Sequence, residues 1–321
     1  MATLKELTSD EEKLTGGHRL CPGCGAGIAA RQVLLAAKGK PVVVAMATGC
    51  LEVSTTIYPY SAWQVPAIHS AFENAGATIS GVEAAYQFLK RKGKIDKDIK
   101  FIAFGGDGGT YDIGLQSLSG AMERGHDILY VCYNNEAYMN TSVQRSGATP
   151  RYANTTTAPA GKVKNGKSQT RKDLTAIIAA HDVPYVAQSV VGNWVDLTRK
   201  VEKALDIKGP KFINVLASCQ LGWVHEMDLA VDIGKLAVET CYWPIYEVEN
   251  GIWKLSYKPK EKKPVQEFLK LQGRFKHLFT PTENTELIAE IQADIDKKWE
   301  WLNKMCGEAC LPAGRSQEVK K

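Results

Sequence analysis

Lys100-Phe101-Ile102-Ala103-Phe104-Gly105-Gly106-Asp107-Gly108-Gly109 is the stretch whose reading decides the fold. Its first five residues are a short apolar run of the kind that forms a buried strand, and the glycine cluster ends it. A periodic apolar segment follows over residues 113–123, closed by Gly125 as a helix stop. The same alternation runs outward in both directions. Residues 28–37 and 75–89 read as helices, 41–47 and 128–133 as strands, 174–180 and 195–205 as helices, and 212–217 as a last strand. Strands alternating with helices predict an α/β fold, a parallel sheet with helices on both faces. In such a sheet ligands sit outside the carboxyl ends of the strands.

With 321 residues, 44% of them hydrophobic, the chain can bury a substantial core in one large domain or two modest ones. Composition becomes mixed beyond residue 240. We therefore expect an α/β domain over residues 1–240 and a C-terminal extension over 241–321 that packs on partner subunits, with an amphipathic helix at 287–302. The N-terminus shows no apolar signal segment, and the longest apolar run, near residues 41–53, is too short to span a bilayer. A cytoplasmic protein with no membrane role is the expectation. A net charge of +5 suits an acidic redox partner and is no nucleic-acid signature.

Asp107 and Asn135 stand just beyond two of the strands. Glycines beside Asp107 let the backbone approach a phosphate, and a helix N-terminus favours its charge. A carboxylate and an amide oxygen from adjacent strand ends can share one Mg²⁺. Each dipeptide taken alone is equally a turn. A dinucleotide fingerprint fits poorly, because Tyr111 stands where a third small residue is required.

Eight cysteines in such a chain point to metal, catalysis or burial rather than to a disulfide framework. Cys21 and Cys24 form a C-x-x-C in a glycine-rich loop, Cys50 follows one strand and Cys219 follows the last. Four thiolates at one sheet edge suit a [4Fe–4S] cluster or Zn²⁺, and a C-x-x-C alone is also compatible with a redox dithiol or plain burial. Cys132 and Cys241 read as buried apolar residues, Cys306 and Cys310 as free thiols. The octapeptide Gly161–Ser168 matches the P-loop pattern, but residues 154–160 before it are Thr/Pro-rich coil, and a phosphate-binding loop needs a strand to feed it.

The text GDGGTYDIGLQSLSGAMERGHD, with YNNEAYMNTSVQRSGATP after it, resembles the thiamine-diphosphate-binding beta subunits of the 2-oxoacid:ferredoxin oxidoreductase family, pyruvate type. The likeness covers residues 16–222, with further family-like text at KLAVETCYWP and VQEFLKLQGRF. The resemblance implies the thiamine-diphosphate-binding fold, with Gly106, Gly108 and Gly109 at the diphosphate and Asp107, the Asn135 side chain and the Ala137 carbonyl on Mg²⁺. It implies Asn140 beside the reacting centre, with Thr141 close by, and one [4Fe–4S] cluster on Cys21, Cys24, Cys50 and Cys219. The implied reaction converts a 2-oxoacid and coenzyme A to acyl-CoA and CO₂ and passes electrons to ferredoxin or another low-potential carrier. The implied partners are an alpha subunit and others that bind the pyrimidine, bind coenzyme A and carry ferredoxin-like clusters. An oxalate or aryl glyoxylate enzyme, a non-redox thiamine decarboxylase or synthase, and a zinc-stabilised scaffold subunit remain alternatives.

Overall fold

Side chains along each central strand alternate between two separate apolar layers, which is why the sequence shows unbroken apolar runs. In a computed structural model describing residues 3–8 and 11–308, Val44 and Met46 of strand β1 (Val42–Ala47) face one layer, and Ala45 and Ala47 the other. Ile102 and Phe104 oppose Phe101 and Ala103 in the same way on β3 (Lys100–Gly106). Leu129 and Val131 oppose Ile128 and Tyr130 on β4 (Ile128–Asn134). Helices Gly25–Ala36 and Trp194–Asp206 cover the first face. Helices Ala75–Arg91, Leu115–Glu123 and Leu174–Ala179 cover the second.

The sheet has eight strands in the order β2-β1-β3-β4-β6-β5-β7-β8. Besides those above they are β2 (Ala67–Ser70), β5 (Tyr185–Val190), β6 (Lys211–Leu216), β7 (Tyr246–Glu249) and β8 (Ile252–Leu255). The first six in that order pair in parallel, whereas β7 and β8 close the edge antiparallel. The α/β architecture is thus the expected one, with differences in detail.

Strand β5 breaks its apolar run with Gln188 and Ser189. The fold satisfies both: Gln188 Nε2 donates to the Pro244 carbonyl and Ser189 Oγ to Asp196. Residues 108–113 form a π-helical turn, with Asp107 as its N-cap, before the regular helix at Leu115. The segment beyond residue 240 contributes β7 and β8 to the main sheet. It also builds a third apolar core, where Trp223, Trp243, Phe268 and Phe275 meet Ile288 and Ile291 of helix Thr285–Glu308. No helix among the described residues is long and apolar enough to cross a membrane. Cys310 lies outside the described residues, and Cys306 is a half-buried thiol outside any disulfide.

Candidate active site

Chain order sends β2 to one side of β1 and β3 to the other, so the crevice opens above the carboxyl ends of β1 and β3. A cavity of about 350 Å³ lies there, lined by Thr48, Gly49 and Cys50 after β1, by Gly106–Gly108 after β3, and by Asn135 and Ala137–Thr141 after β4. Asp107, Asn135 and Ala137 are buried, while Asn140 and Thr141 are exposed at the rim. Gly109 lies behind the wall, where a side chain would meet the Phe72 carbonyl at 2.7 Å. Gly108 must lack a side chain: a Cβ there would stand 2.4 Å from the Tyr138 ring, which is itself held through a 2.8 Å bond to Asp112.

The decisive geometry is at Asp107. Ser146 Oγ donates to its Oδ2 at 2.6 Å, and the Asn135 amide N–H to its Oδ1 at 3.2 Å. As placed, Asn135 Oδ1 stands 2.8 Å from Asp107 Oδ1 and 2.9 Å from the Ala137 carbonyl, acceptor against acceptor. Turned over, the amide would donate to both. The donor set is thus complete for a hard cation in one amide orientation and self-satisfied without one in the other. Burial pushes Asp107 up to about 7, against the bonds from Ser146 and Asn135.

Cys50 lines the same cavity and belongs also to the thiol group. Its thiol is pushed up to about 12, by burial first and then by Cys219, Cys24 and Cys21. Burial likewise raises Cys24 and Cys219, and Cys21 adds to each. All four are free thiols. Gly25 sets the close approach of the C-x-x-C loop to the β6 end, because a Cβ there would meet Ala217 and Ser218 backbone at 2.5–2.7 Å. Among the described residues no three His, Cys, Asp or Glu side chains are gathered as a single metal ion would need them. Cys132 and Cys241 are buried, as expected.

Several residues escaped sequence reasoning. Thr48 on the cavity wall bonds His69 Nε2 at 2.6 Å, and His69 Nδ1 faces Glu52 at 3.3 Å. Ser146 sits in the long loop with no motif to mark it. Glu136, between Asn135 and Ala137, is 0% exposed and takes up Arg171, Tyr242 and Arg274. A second cavity of about 390 Å³ lies behind Tyr111 against the C-terminal helix. Its Arg171, Lys172 and Lys298 are already paired with Glu136, Asp112 and Asp173, so it offers no free charge from these three.

The thiamine pyrophosphate enzyme C-terminal TPP-binding domain matches residues 47–215, which makes the chain a thiamine-diphosphate-binding protein. The pyruvate synthase subunit PorB of Thermotoga maritima is 54% identical over 93% of this chain and 95% of its own length. That of Methanocaldococcus jannaschii is 56% identical over 90% and 95%. The ketoisovalerate oxidoreductase subunit VorB of Pyrococcus abyssi is 44% identical over 92% and 94%. A 2-oxoglutarate:ferredoxin oxidoreductase structure from Magnetococcus marinus shares the fold, with a TM-score of 0.55 at 18% identity over 73% of this chain and 84% of its own. The chain belongs to the PorB family of 2-oxoacid:ferredoxin oxidoreductase subunits.

The P-loop-like octapeptide forms no phosphate cradle. Apart from an isolated bridge between Ala160 and Asn165, residues 154–173 are turns, bends and coil. Lys167 is 2% exposed, and its ammonium is bound to the Thr149 and Thr170 carbonyls at 2.5 and 3.3 Å. Burial pulls it down to about 8, with Arg145 and Arg171 adding to the shift. An unfolded lysine titrates near about 10.4. Between those two values the unfolded chain binds more protons, so this residue makes stability rise with pH across the window. Chemical denaturation at pH 8 and pH 10 should show the parent gaining stability relative to Lys167→Met; equal changes in both would exclude the buried ammonium.

Proposed function

We propose that this chain carries the diphosphate-binding and first electron-accepting half of a thiamine-diphosphate-dependent 2-oxoacid oxidation that yields acyl-CoA and CO₂, with pyruvate-type substrates. The facing oxygens of Asp107, Asn135 and Ala137 carry the reading. Magnesium holds oxygen ligands at about 2.0–2.1 Å, which sets adjacent ones about 2.9 Å apart in an octahedron. With the Asn135 oxygen turned inward, the 2.8 and 2.9 Å separations fit that edge; with the amide turned over they are ordinary N–H···O bonds. The substrate assignment rests on the PorB relatives, which range from 45 to 56% identity, with the VorB relative at 44% just below that range.

In this reading Asp107, Asn135 and Ala137 hold Mg²⁺, and the bond from Ser146 fixes the carboxylate's orientation. Gly106 and Gly108 would meet the diphosphate with backbone, the places of their missing side chains being filled by Tyr133 and Tyr138. When bound, thiamine diphosphate would supply an electron sink for the substrate and a [4Fe–4S] cluster a one-electron acceptor. Cys21, Cys24, Cys50 and Cys219 would hold that cluster, whose four irons take one thiolate each and so spread the thiols wider than a single ion does. Burial raises the thiols of Cys24, Cys50 and Cys219, and a cationic centre would offset that rise by holding them as thiolates. Asn140 and Thr141, exposed on the rim, would orient the substrate carbonyl by hydrogen bonding.

The carboxylic acid that activates the pyrimidine of this cofactor would come from a partner. Every described strand belongs to one sheet, and the buried Glu136 is fully engaged. The extension would pack against neighbouring subunits through its exposed side, and the carrier receiving the electrons would be ferredoxin or a similar low-potential protein.

Asp107→Asn should cost the complex its Mg²⁺-dependent retention of thiamine diphosphate while the far-ultraviolet circular dichroism stays unchanged; full occupancy would sink the metal assignment. Cys50→Ser should remove or convert one low-temperature EPR signal of the dithionite-reduced complex. An untouched spectrum would show that Cys50 is not a cluster ligand. Purified alone with thiamine diphosphate and Mg²⁺, the chain should reduce no viologen dye with pyruvate, and turnover by the isolated chain would refute the divided site.

A further inference from the structure

Arg274 lies in the C-terminal segment, 138 residues from Glu136, yet it grips the loop between the proposed metal ligands from two sides. Its Nη2 donates to Glu136 Oε2 at 2.6 Å. Its guanidinium face lies 3.8 Å above the Trp223 ring, and the Trp223 indole N–H donates to the Asn135 carbonyl at 2.7 Å. Arg274, Glu136 and Trp223 are all buried, so none of these bonds competes with bulk water. Between the two grips Glu136 holds a left-handed backbone at φ 66°, a conformation that a side chain like this keeps only when its surroundings over-determine it. That backbone sets where the Asn135 side chain and the Ala137 carbonyl stand relative to each other.

We infer that Arg274 is a positioning residue for the metal site, acting through Glu136 and Trp223. The inference rests on the reading of Asp107, Asn135 and Ala137 as Mg²⁺ ligands. It makes the C-terminal segment part of the cofactor site without touching the cofactor. Partners one bond removed from a metal ligand typically change metal affinity about 10- to 100-fold when lost.

The test uses the assembled complex, stripped of cofactor and titrated with Mg²⁺ at fixed radiolabelled thiamine diphosphate in equilibrium dialysis. Arg274→Met should raise the Mg²⁺ concentration for half-retention by about tenfold or more. Arg274→Lys, which keeps the charge but not the planar fork, should fall between it and the parent. Trp223→Phe keeps an aromatic ring beneath the guanidinium and removes the N–H together with part of the indole's volume; if Arg274→Met does not assemble, it should still shift the Mg²⁺ midpoint in the same direction, beyond any change in melting temperature. A merely structural role would lower the melting temperature of the cofactor-free complex and leave the Mg²⁺ midpoint where it was. An unshifted midpoint in Arg274→Lys and Trp223→Phe would overturn the inference. Asp107→Asn run in parallel separates the two failures: if it retains the cofactor normally, the ligand assignment is wrong rather than the role of Arg274.

Discussion

The carboxylate of Glu136 is the constraint on which the rest of this structure turns. It is fully buried, and an isolated buried charge would be far costlier than the net stability of a domain allows. Both of its oxygens are therefore occupied, one by Arg171 and the Tyr242 hydroxyl and the other by Arg274, at 2.6–2.7 Å. Its backbone carbonyl takes Thr149 Oγ1 at 2.6 Å, and its N–H donates to Asn134 Oδ1 at 3.0 Å. One residue thus ties the β4 end, the long loop and the C-terminal segment together. A buried ionic network of this kind is weak evidence for stability in itself, since a well-packed apolar replacement often does as well. What it supplies here is a single arrangement of the chain on either side of it.

This explains what the sequence could and could not disclose. The strand-to-helix alternation and the polar residues at the strand ends were legible, because they follow from local periodicity and from the rule that ligands sit at carboxyl edges. Asp107 and Asn135 carried that signal. Glu136 did not: in Asn-Asn-Glu-Ala it looks like any solvated acid, and its partners stand 35, 106 and 138 residues away. Ser146 and Arg274 are silent for the same reason, since a bond formed only by tertiary folding leaves no local pattern. Strand β5 was hidden by Gln188 and Ser189, two polar residues whose burial depends on bonds to Pro244 and Asp196 beyond the strand. The boundary placed at residue 240 divides the chain where composition changes, whereas β7 and β8 run on into the same sheet.

The oxygen cluster and the thiol group are linked through short, stiff pieces. Cys50 touches the cavity directly. Cys219 accepts the Gly222 N–H at 3.3 Å, and the next residue, Trp223, bonds the Asn135 carbonyl. The segment that presents a proposed cluster ligand therefore also braces a proposed metal ligand. On the other side, the missing Cβ of Gly25 lets Cys24 and its loop press against Ala217 and Ser218, just before Cys219. Close packing transmits such constraints because interiors do not compress.

That rigidity bears on why the diphosphate half and the electron acceptor would share one chain while the activating acid sits elsewhere. Donors for a metal and a cluster must be held to fractions of an ångström, and neighbouring strand ends of one sheet supply that without reorganisation. The cavity above them is lined by rim residues Asn140 and Thr141 that remain exposed. A wall supplied by a second subunit would exclude water only when the complex is assembled, and excluding water strengthens every interaction inside the site. An open half-site of this kind would be inert until a partner closes it. If, as proposed, the cavity beside Asp107 and Cys50 is completed from outside, chemistry and electron exit would begin together at assembly.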